Sequence, residues 1–319
     1  MGMALVVHGG AGTITRDRVE VAQAGCKDAL LLGWRLLQEG VSALDVVEAT
    51  VRALEDNPNF NAGTGSCLTE DGRVEMDAGI MEGHTLRAGA IACVDRIKNP
   101  IALARHVLES PHVLLTSRGA HQFAQEQGIA FCRNEDLVTT RQHLAWQLER
   151  ERRQATHKEE PRIHRIEHSS IDARSELTEP TNKEEKHGTV GAVALDSFGT
   201  LAAATSTGGF LFKYPGRIGD SPLVGCGFYA DENAAVSCTG YGEDFIRLLI
   251  AKYAADQVAR GMHAREAAEA AIAYLGAKAN GTGGLIVVDR HGNTGYAWNS
   301  SHMARAYMTQ EMTAPMADV

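Results

Sequence analysis

One stretch of this sequence has the residue types for nucleophilic catalysis: His187-Gly188-Thr189-Val190-Gly191-Ala192-Val193-Ala194-Leu195-Asp196, where a long charged segment gives way to an apolar run. A threonine hydroxyl is a weak nucleophile and needs a base beside it; a free α-amino group on the same residue supplies one. That amine titrates at about 7.7–8.0 in model peptides, so much of it can be unprotonated near neutral pH. Gly188 has no side chain and tolerates strained backbone, which suits attack by Thr189 on the carbonyl in front of it. A cut at Gly188-Thr189 would leave a threonine that carries its own base. The same ten residues also suit a turn followed by an ordinary strand, because Thr and Val favour strands and Gly punctuates turns. On local grounds both readings stand.

The elements around this stretch decide what it can face. Ala4–His8 reads as a short buried strand, with Gly9-Gly10-Ala11-Gly12 as a tight turn after it. Neither GxGxxG nor GK[ST] follows, so a phosphate cradle there is poorly supported. Val19–Gln38 has apolar residues at helical spacing, and a second amphipathic helix runs to Glu55 with Ser42 as its N-cap. The polar loop Asp56–Ser66, with Asn61 at its centre, leads to two strand-like segments, Ser66–Glu70 and Arg73–Met81, divided by Gly72. Such a loop either carries function or turns a corner. Next come a strand at Ala88–Val94, a helix from Pro100 to Leu108, a strand at His112–Thr116 and helices at Gly119–Gln127 and Leu137–Gln154. From Ala155 to His187 the periodicity is lost and charge dominates, the composition of a flexible linker.

Beyond the linker, Thr189–Leu195 and Leu201–Ser206 form a hairpin. Strands at Val224–Tyr229 and Ala234–Gly240, helices at Glu243–Gln257 and Ala264–Leu275, and a last hairpin of Gly284–Asp289 with Asn293–Trp298 follow. Hairpins imply antiparallel sheets, and amphipathic helices must cover them. The expected fold is α+β, an αββα four-layer sandwich in one structural domain. Residues 1–154 form its first half, 155–188 the linker and 189–319 its second half.

The 319 residues carry a net charge of -9, which argues against nucleic acid or anionic membrane as partners. No apolar run reaches the ~18 residues that a membrane helix needs. The start of the chain lacks a basic region followed by an apolar one, so a cytoplasmic location is expected. Cys26, Cys67, Cys93, Cys132, Cys226 and Cys238 form no CxxC pair and read as free thiols, most of them buried.

Several further motifs occur in fixed order: Ala204-Thr205-Ser206-Thr207-Gly208-Gly209, Pro215-Gly216-Arg217-Ile218-Gly219-Asp220-Ser221-Pro222 and Ser237-Cys238-Thr239-Gly240-Tyr241-Gly242-Glu243. With Gly188–Asp196, and with His8–Gly12 and Phe60–Gly63 upstream, they resemble the plant-type (type 2) asparaginase or isoaspartyl peptidase family of N-terminal-nucleophile hydrolases, over nearly the whole chain except the linker. The resemblance implies self-cleavage at Gly188-Thr189 into α and β chains, with Thr189 as nucleophile on side-chain amides of aspartate. It implies that Thr207 orients the nucleophile, Thr205 is structural, Arg217 and Asp220 hold the substrate's α-carboxylate and α-amino group, and Thr239 with Gly240 stabilises the oxyanion. Gly242 would line the pocket through its backbone, and Asn61 would approach the nucleophile. These residue types suit the tasks: a guanidinium fork matches a carboxylate, and a carboxylate suits an ammonium.

By the same resemblance, the loop containing Leu54, Glu55, Asn57, Phe60, Ala62 and Thr64 would hold a structural sodium ion through main-chain carbonyls, with no catalytic cofactor. The substrates implied are L-asparagine and β-aspartyl dipeptides, and the assembly a homodimer of αβ units, an (αβ)2 heterotetramer. The segment Phe210-Leu211-Phe212-Lys213-Tyr214 is more aromatic than expected beside the Thr205–Gly209 motif, which would reshape the pocket mouth. Glycosylasparaginase is an alternative, disfavoured by Gly188 where an aspartate would precede the nucleophile. A taspase-type protease is less consistent with a pocket built for a free amino-acid end. From another class, a non-enzymatic small-molecule binding module would also use glycine-rich loops.

Overall fold

The structure, a computed structural model, describes residues 2–156 and 188–319. Of the expected linker, Ala155 and Thr156 end a helix and Gly188 abuts a strand; residues 157–187 lie outside the described residues.

Eight strands form the larger sheet, in the order β12 (Met316–Asp318), β11 (His302–Thr309), β1 (Ala4–Gly12), β5 (Val190–Leu195), β6 (Leu201–Thr207), β2 (Met76–Glu82), β3 (Ala88–Val94) and β4 (Leu114–Thr116). A second sheet holds β10 (Thr294–Trp298), β9 (Gly283–Asp289), β8 (Ala234–Gly240) and β7 (Phe228–Ala230). Side chains alternate across a strand, so each strand here feeds two cores. Leu5 and Val7 of β1, with Val190, Ala192 and Ala194 of β5, pack under α1 (Arg16–Gln38), α2 (Ala43–Asp56) and α3 (Pro100–Leu108). Their neighbours Ala4, Val6, Val193 and Leu195 meet Phe228, Ala235, Ile286 and Val288 of the second sheet. On that sheet's far face, Val236, Cys238, Leu285 and Val287 pack against α7 (Ile250–Ala259) and α8 (Ala264–Ala279). Helices, two sheets and helices therefore follow one another, in a mixed α+β fold. Among the described residues, no helix is long and apolar enough to cross a membrane.

This alternation aims the polar residues. Thr189 lies two residues before Gly191 and four before Val193, so its side chain projects into the gap between the sheets, as those of Thr205 and Thr207 do from β6. Ser237 and Thr239 enter the same gap from β8, and the Thr205 and Ser237 hydroxyls meet at 2.7 Å across it. Ser206 points the other way, to α2, where its hydroxyl donates to Glu55 Oε1 at 2.6 Å.

Several sequence expectations need correction. Gly9–Gly12 is the end of β1 rather than a turn, with an irregularity between His8 and Gly10 in its pairing to β11. The Ser66–Val74 region holds isolated bridges, Leu68 with Val74 and Thr69 with Lys213, and the regular strand starts at Met76. Of Val224–Tyr229, regular strand begins at Phe228. The helix expected over Glu243–Gln257 is two, α6 (Gly242–Leu248) and α7, broken where Leu249 turns left-handed at φ 52°. The pairing of β3 with β4 is parallel, against the antiparallel rule. The last hairpin does not close the fold: β11 returns to flank β1 in the larger sheet. Free thiols are as expected, with Cys26, Cys67, Cys226 and Cys238 buried.

Two carboxylates bind layers together. Asp196, ending β5, accepts Phe198 and Thr200 N–H groups in its hairpin turn, and its other oxygen accepts Ala43 N at 2.8 Å, capping α2. Glu55 Oε1 accepts Ile101 N in the first turn of α3 as well as the Ser206 hydroxyl. Burial pushes the Glu55 pKa up to about 8, against the lowering effect of those bonds. The folded protein thus holds a proton there that the unfolded chain releases near 4.5, so this residue's contribution to stability falls as pH rises from about 5 to 8. Glu55→Gln should flatten that decline. Melting temperatures at pH 5, 6.5 and 8 measure it, and an unchanged slope in the variant would contradict the assignment.

Candidate active site

The site lies at the end of the inter-sheet gap where β5, β6 and β8 present their threonines. The Thr189 hydroxyl donates to Thr207 Oγ1 at 3.2 Å. Thr207 in turn donates to the Gly188 carbonyl at 3.0 Å and accepts Gly209 N at 3.0 Å. One proton given and two lone pairs used complete the capacity of that hydroxyl. Asn61 Nδ2 donates to the same Gly188 carbonyl at 2.7 Å and to Gly209 O at 2.6 Å. The Asn61 amide is fixed from behind, since its Oδ1 accepts Cys67 N and its main-chain carbonyl accepts Gly208 N. The peptide oxygen preceding Thr189 therefore sits between two aimed donors, the arrangement that stabilises negative charge on a carbonyl under attack.

Backbone approach closes the other side. Gly10, at φ +112°, lies so near that a β-carbon there would stand 3.0 Å from Gly188 Cα and 3.2 Å from Thr189 N. A side chain at that position would displace the peptide. Behind it, buried His8 bonds Ser237 Oγ at 2.9 Å, and Ser237 bonds Thr205. Burial drives the His8 pKa down to about 3, only partly offset by the Thr189 backbone, so this imidazole is neutral across the working pH range. The Thr205 hydroxyl is committed inside the buried gap, to Ser237 and to the Gly227 carbonyl. Thr239 Oγ1 accepts Ala11 N at 3.1 Å, leaving its own proton to donate, and Gly240 lines the pocket beside Thr189 and Thr207.

Arg217 and Asp220 reach the same pocket. Arg217 is held by Glu243 through two bonds, Nε to Oε1 at 2.8 Å and Nη2 to Oε2 at 2.7 Å, and lies 4.5 Å from the centroid of the Phe210 ring. Phe210 also stacks on Tyr241 and lines this pocket, whereas Phe212 stacks on Trp146. Asp220 is buried, and its Oδ2 has no hydrogen-bond partner among the described residues. Burial raises its pKa to about 7 against the pull of Arg217. Gly242 is required by contact: a β-carbon there would stand 2.9 Å from Arg217 Nη2 and from Asp220 Oδ1.

The structure brings together Thr189, Thr207, Asn61, Gly188, Gly240, Arg217 and Asp220, with Thr239 beside them. Glu243, His8, Ser237 and Gly10 lie outside the site read from sequence. Glu243 is the last residue of a motif that the sequence displays, where it carries no assigned role. The His8–Ser237 contact spans the chain and leaves no spacing signal. In the loop Leu54–Thr64, the carbonyls of Leu54, Glu55 and Asn57 each accept one N–H, from Asn57, Thr64 and Phe60. Among the described residues there is no cluster of three or more His, Cys, Asp or Glu side chains that could hold a metal.

The comparison with known proteins agrees in extent with this geometry. A family model described as Asparaginase matches residues 1–317. The plant-type L-asparaginase of Thermococcus kodakarensis is 47% identical over 324 aligned positions, covering 99% of this chain and 99% of its own. The plant-type L-asparaginase of Pyrococcus furiosus is 46% identical, covering 99% and 100%. The isoaspartyl peptidase/L-asparaginase of Homo sapiens is 43% identical over 302 positions, covering 94% of this chain and 91% of its own. A family match along the whole chain, with relatives at these identities, has one consequence: the chain belongs to the asparaginase family.

Proposed function

We propose that this chain cuts itself at Gly188-Thr189 and then acts as a threonine amidohydrolase on L-asparagine and β-aspartyl dipeptides, in an N-terminal-nucleophile fold made of two chains. The observation that carries this reading is the Gly188 carbonyl held by Asn61 and Thr207, with the Thr189 hydroxyl bonded to Thr207. In the cut, Thr189 Oγ attacks the Gly188 carbonyl carbon. Its proton passes to Thr207 while Thr207 gives its own to the developing oxyanion. Collapse breaks the C–N bond, the Thr189 nitrogen takes the proton, and water then hydrolyses the ester to leave a Gly188 carboxylate and a free amine.

In the mature enzyme that amine removes the hydroxyl proton as Oγ attacks the substrate's side-chain carbonyl. The oxyanion is met by the Thr239 hydroxyl and Gly240 N–H. The departing ammonia or amino acid takes the proton, and water resolves the acyl-enzyme. Arg217, kept in place by Glu243 and Phe210, binds the substrate's α-carboxylate, and Asp220 Oδ2 binds its ammonium. The relatives' names, plant-type L-asparaginase and isoaspartyl peptidase/L-asparaginase, support the same substrates.

The sodium reading also belongs here. Leu54, Glu55, Asn57, Phe60, Ala62 and Thr64 would hold the ion through carbonyls, and those of Leu54, Glu55 and Asn57 each keep a lone pair beyond the N–H they accept. Neutral oxygens suit a hard cation. Its role would be to stiffen the loop that presents Asn61. The melting temperature should rise in sodium chloride relative to choline chloride at equal ionic strength; identical melting curves would remove the ion from this account.

On a denaturing gel the purified wild type should run as two fragments. Thr189→Ala should stay a single band and release no ammonia from L-asparagine. Two fragments from that variant would refute the nucleophile. Arg217→Ala should still be cut, yet lose about 100-fold or more in kcat/KM for L-asparagine, the scale of two charge-assisted bonds. Near-normal kcat/KM would remove Arg217 as the anchor.

A further inference from the structure

A second cavity, of about 270 Å3, opens beyond Gly188 from the Arg217–Asp220 pocket, and Gly188 is the one described residue that lines both. The two are separated by the peptide that the proposed cut would release. The second cavity's polar wall includes Arg18 from α1 and Arg141 from the helix Thr140–Thr156, with Ile14, Ala22 and Leu211 on the apolar side. The two guanidiniums converge on one acceptor. Arg18 Nη2 donates to Asn59 O at 2.5 Å, and Arg141 Nη2 lies 3.5 Å from that oxygen and 3.4 Å from Pro58 O.

Neither arginine has a carboxylate partner among the described residues, and both are half-buried. Elsewhere in the chain the arginines with comparable or greater burial find acids: Arg105 pairs with Asp45, Arg217 with Glu243 and Arg305 with Asp318. Burial and the neighbouring Arg18 charge both lower the Arg141 pKa, so the pair repels itself. Two like charges lining a half-open cavity of this size are balanced when an anion enters.

We propose that this cavity is the leaving-side subsite, in which Arg18 and Arg141 bind the free α-carboxylate of the residue released from a β-aspartyl dipeptide. The inference rests on the activity proposed above. With the substrate's α-groups on Arg217 and Asp220 and its amide carbonyl at Thr189, the leaving nitrogen faces the space that Gly188 vacates. The carboxylate of a leaving amino acid is two bonds beyond that nitrogen, on the side of the two arginines. No added chemical step is involved: Oγ–C forms, C–N breaks, and the proton goes to the leaving nitrogen as before. The apolar wall fits an aliphatic side chain. Ammonia, the leaving group from asparagine, is too small to touch either arginine.

The test compares kcat/KM for β-aspartyl-leucine with that for its C-terminal amide, which differ only in the charge that the subsite would read. Wild type should prefer the free acid by about 10–100-fold, the scale of a charge-assisted bond in a partly buried site. The preference should shrink as salt is raised. Arg18→Gln and Arg141→Gln should each bring the ratio towards one, while Arg141→Lys should keep part of it. Because each ratio is internal to one protein, a variant with a lower fraction of active enzyme still reports it, and the salt series needs no variant at all. Equal rates on acid and amide in wild type would overturn the subsite alone, leaving the activity intact. A preference that persists in both Gln variants would do the same, as would variants that slow only the self-cut. If wild type hydrolysed neither dipeptide, the proposed peptidase activity would fail and this inference with it.

Discussion

The Thr207 hydroxyl is the atom on which the site depends. It receives the Thr189 proton, donates to the Gly188 carbonyl and accepts Gly209 N, so all its hydrogen-bonding capacity is committed. A hydroxyl with free capacity could rotate; this one cannot without breaking a bond in a buried gap. The commitment holds only because two strands of one sheet stay in register. Val190 is paired with Ser206 in the β5–β6 ladder, so the residues just outside that pair, Thr189 and Thr207, are neighbours at its end. Slipping one of these strands by one residue would turn its threonines from the gap to the helices. Nucleophile geometry is thus a consequence of sheet pairing, which the packing of β5 between helices and second sheet keeps from sliding.

Much of this was legible in period-2 patterning. Thr189–Leu195 and Leu201–Ser206 read as a hairpin, and alternation continued one residue past Ser206 puts Thr189, Thr205 and Thr207 on one face. The layered α+β arrangement also follows from hairpins that need covering by amphipathic helices. What failed was local. Gly9–Gly12 looks like a turn because glycine clusters usually are one, yet here the glycines let β1 pass close beside Gly188 as extended chain. The break at Leu249 is invisible because an unbroken helical pattern cannot show where one residue turns left-handed. The closing strand β11 escaped because its partner, β1, is about 300 residues away in sequence.

The candidate site was legible where motif and chemistry coincide: Thr189, Thr207, Arg217 and Asp220, singled out from sequence, line one pocket. It was not legible where partners are brought together by folding alone. Glu243 lies next to Thr239–Gly242 in sequence, but nothing in its spacing says that it clasps Arg217 from across the pocket. Arg18 and Arg141 sit on two helices whose patterns are dominated by burial and charge. As isolated residues they look like solvated helix faces; only the convergence on Asn59 marks them as a pair. Glu55 could have been suspected, since it extends the apolar stripe of Leu44, Val47 and Val51 on α2, where a carboxylate has no ordinary place.

A physical asymmetry follows from which donors face which carbonyl. Asn61 and Thr207 are bonded to the Gly188 oxygen, whereas Thr239 and Gly240 lie along another wall of the gap, with Thr239 tied to Ala11 N. On the proposed reading one nucleophile serves two carbonyls, each with its own pair of donors. The self-cut then does not require the Arg217–Asp220 clamp, because no α-carboxylate or ammonium has to be held when the attacked carbonyl is already part of the chain. Covalent attachment supplies the orientation that binding must supply to a free substrate. This explains why Asp220 can carry an unpartnered, buried oxygen with a pKa raised to about 7. Among the described residues Arg217 is the cation beside it, and on the proposed reading the ammonium of a bound substrate would provide the missing charge and make its ionised form the stable one.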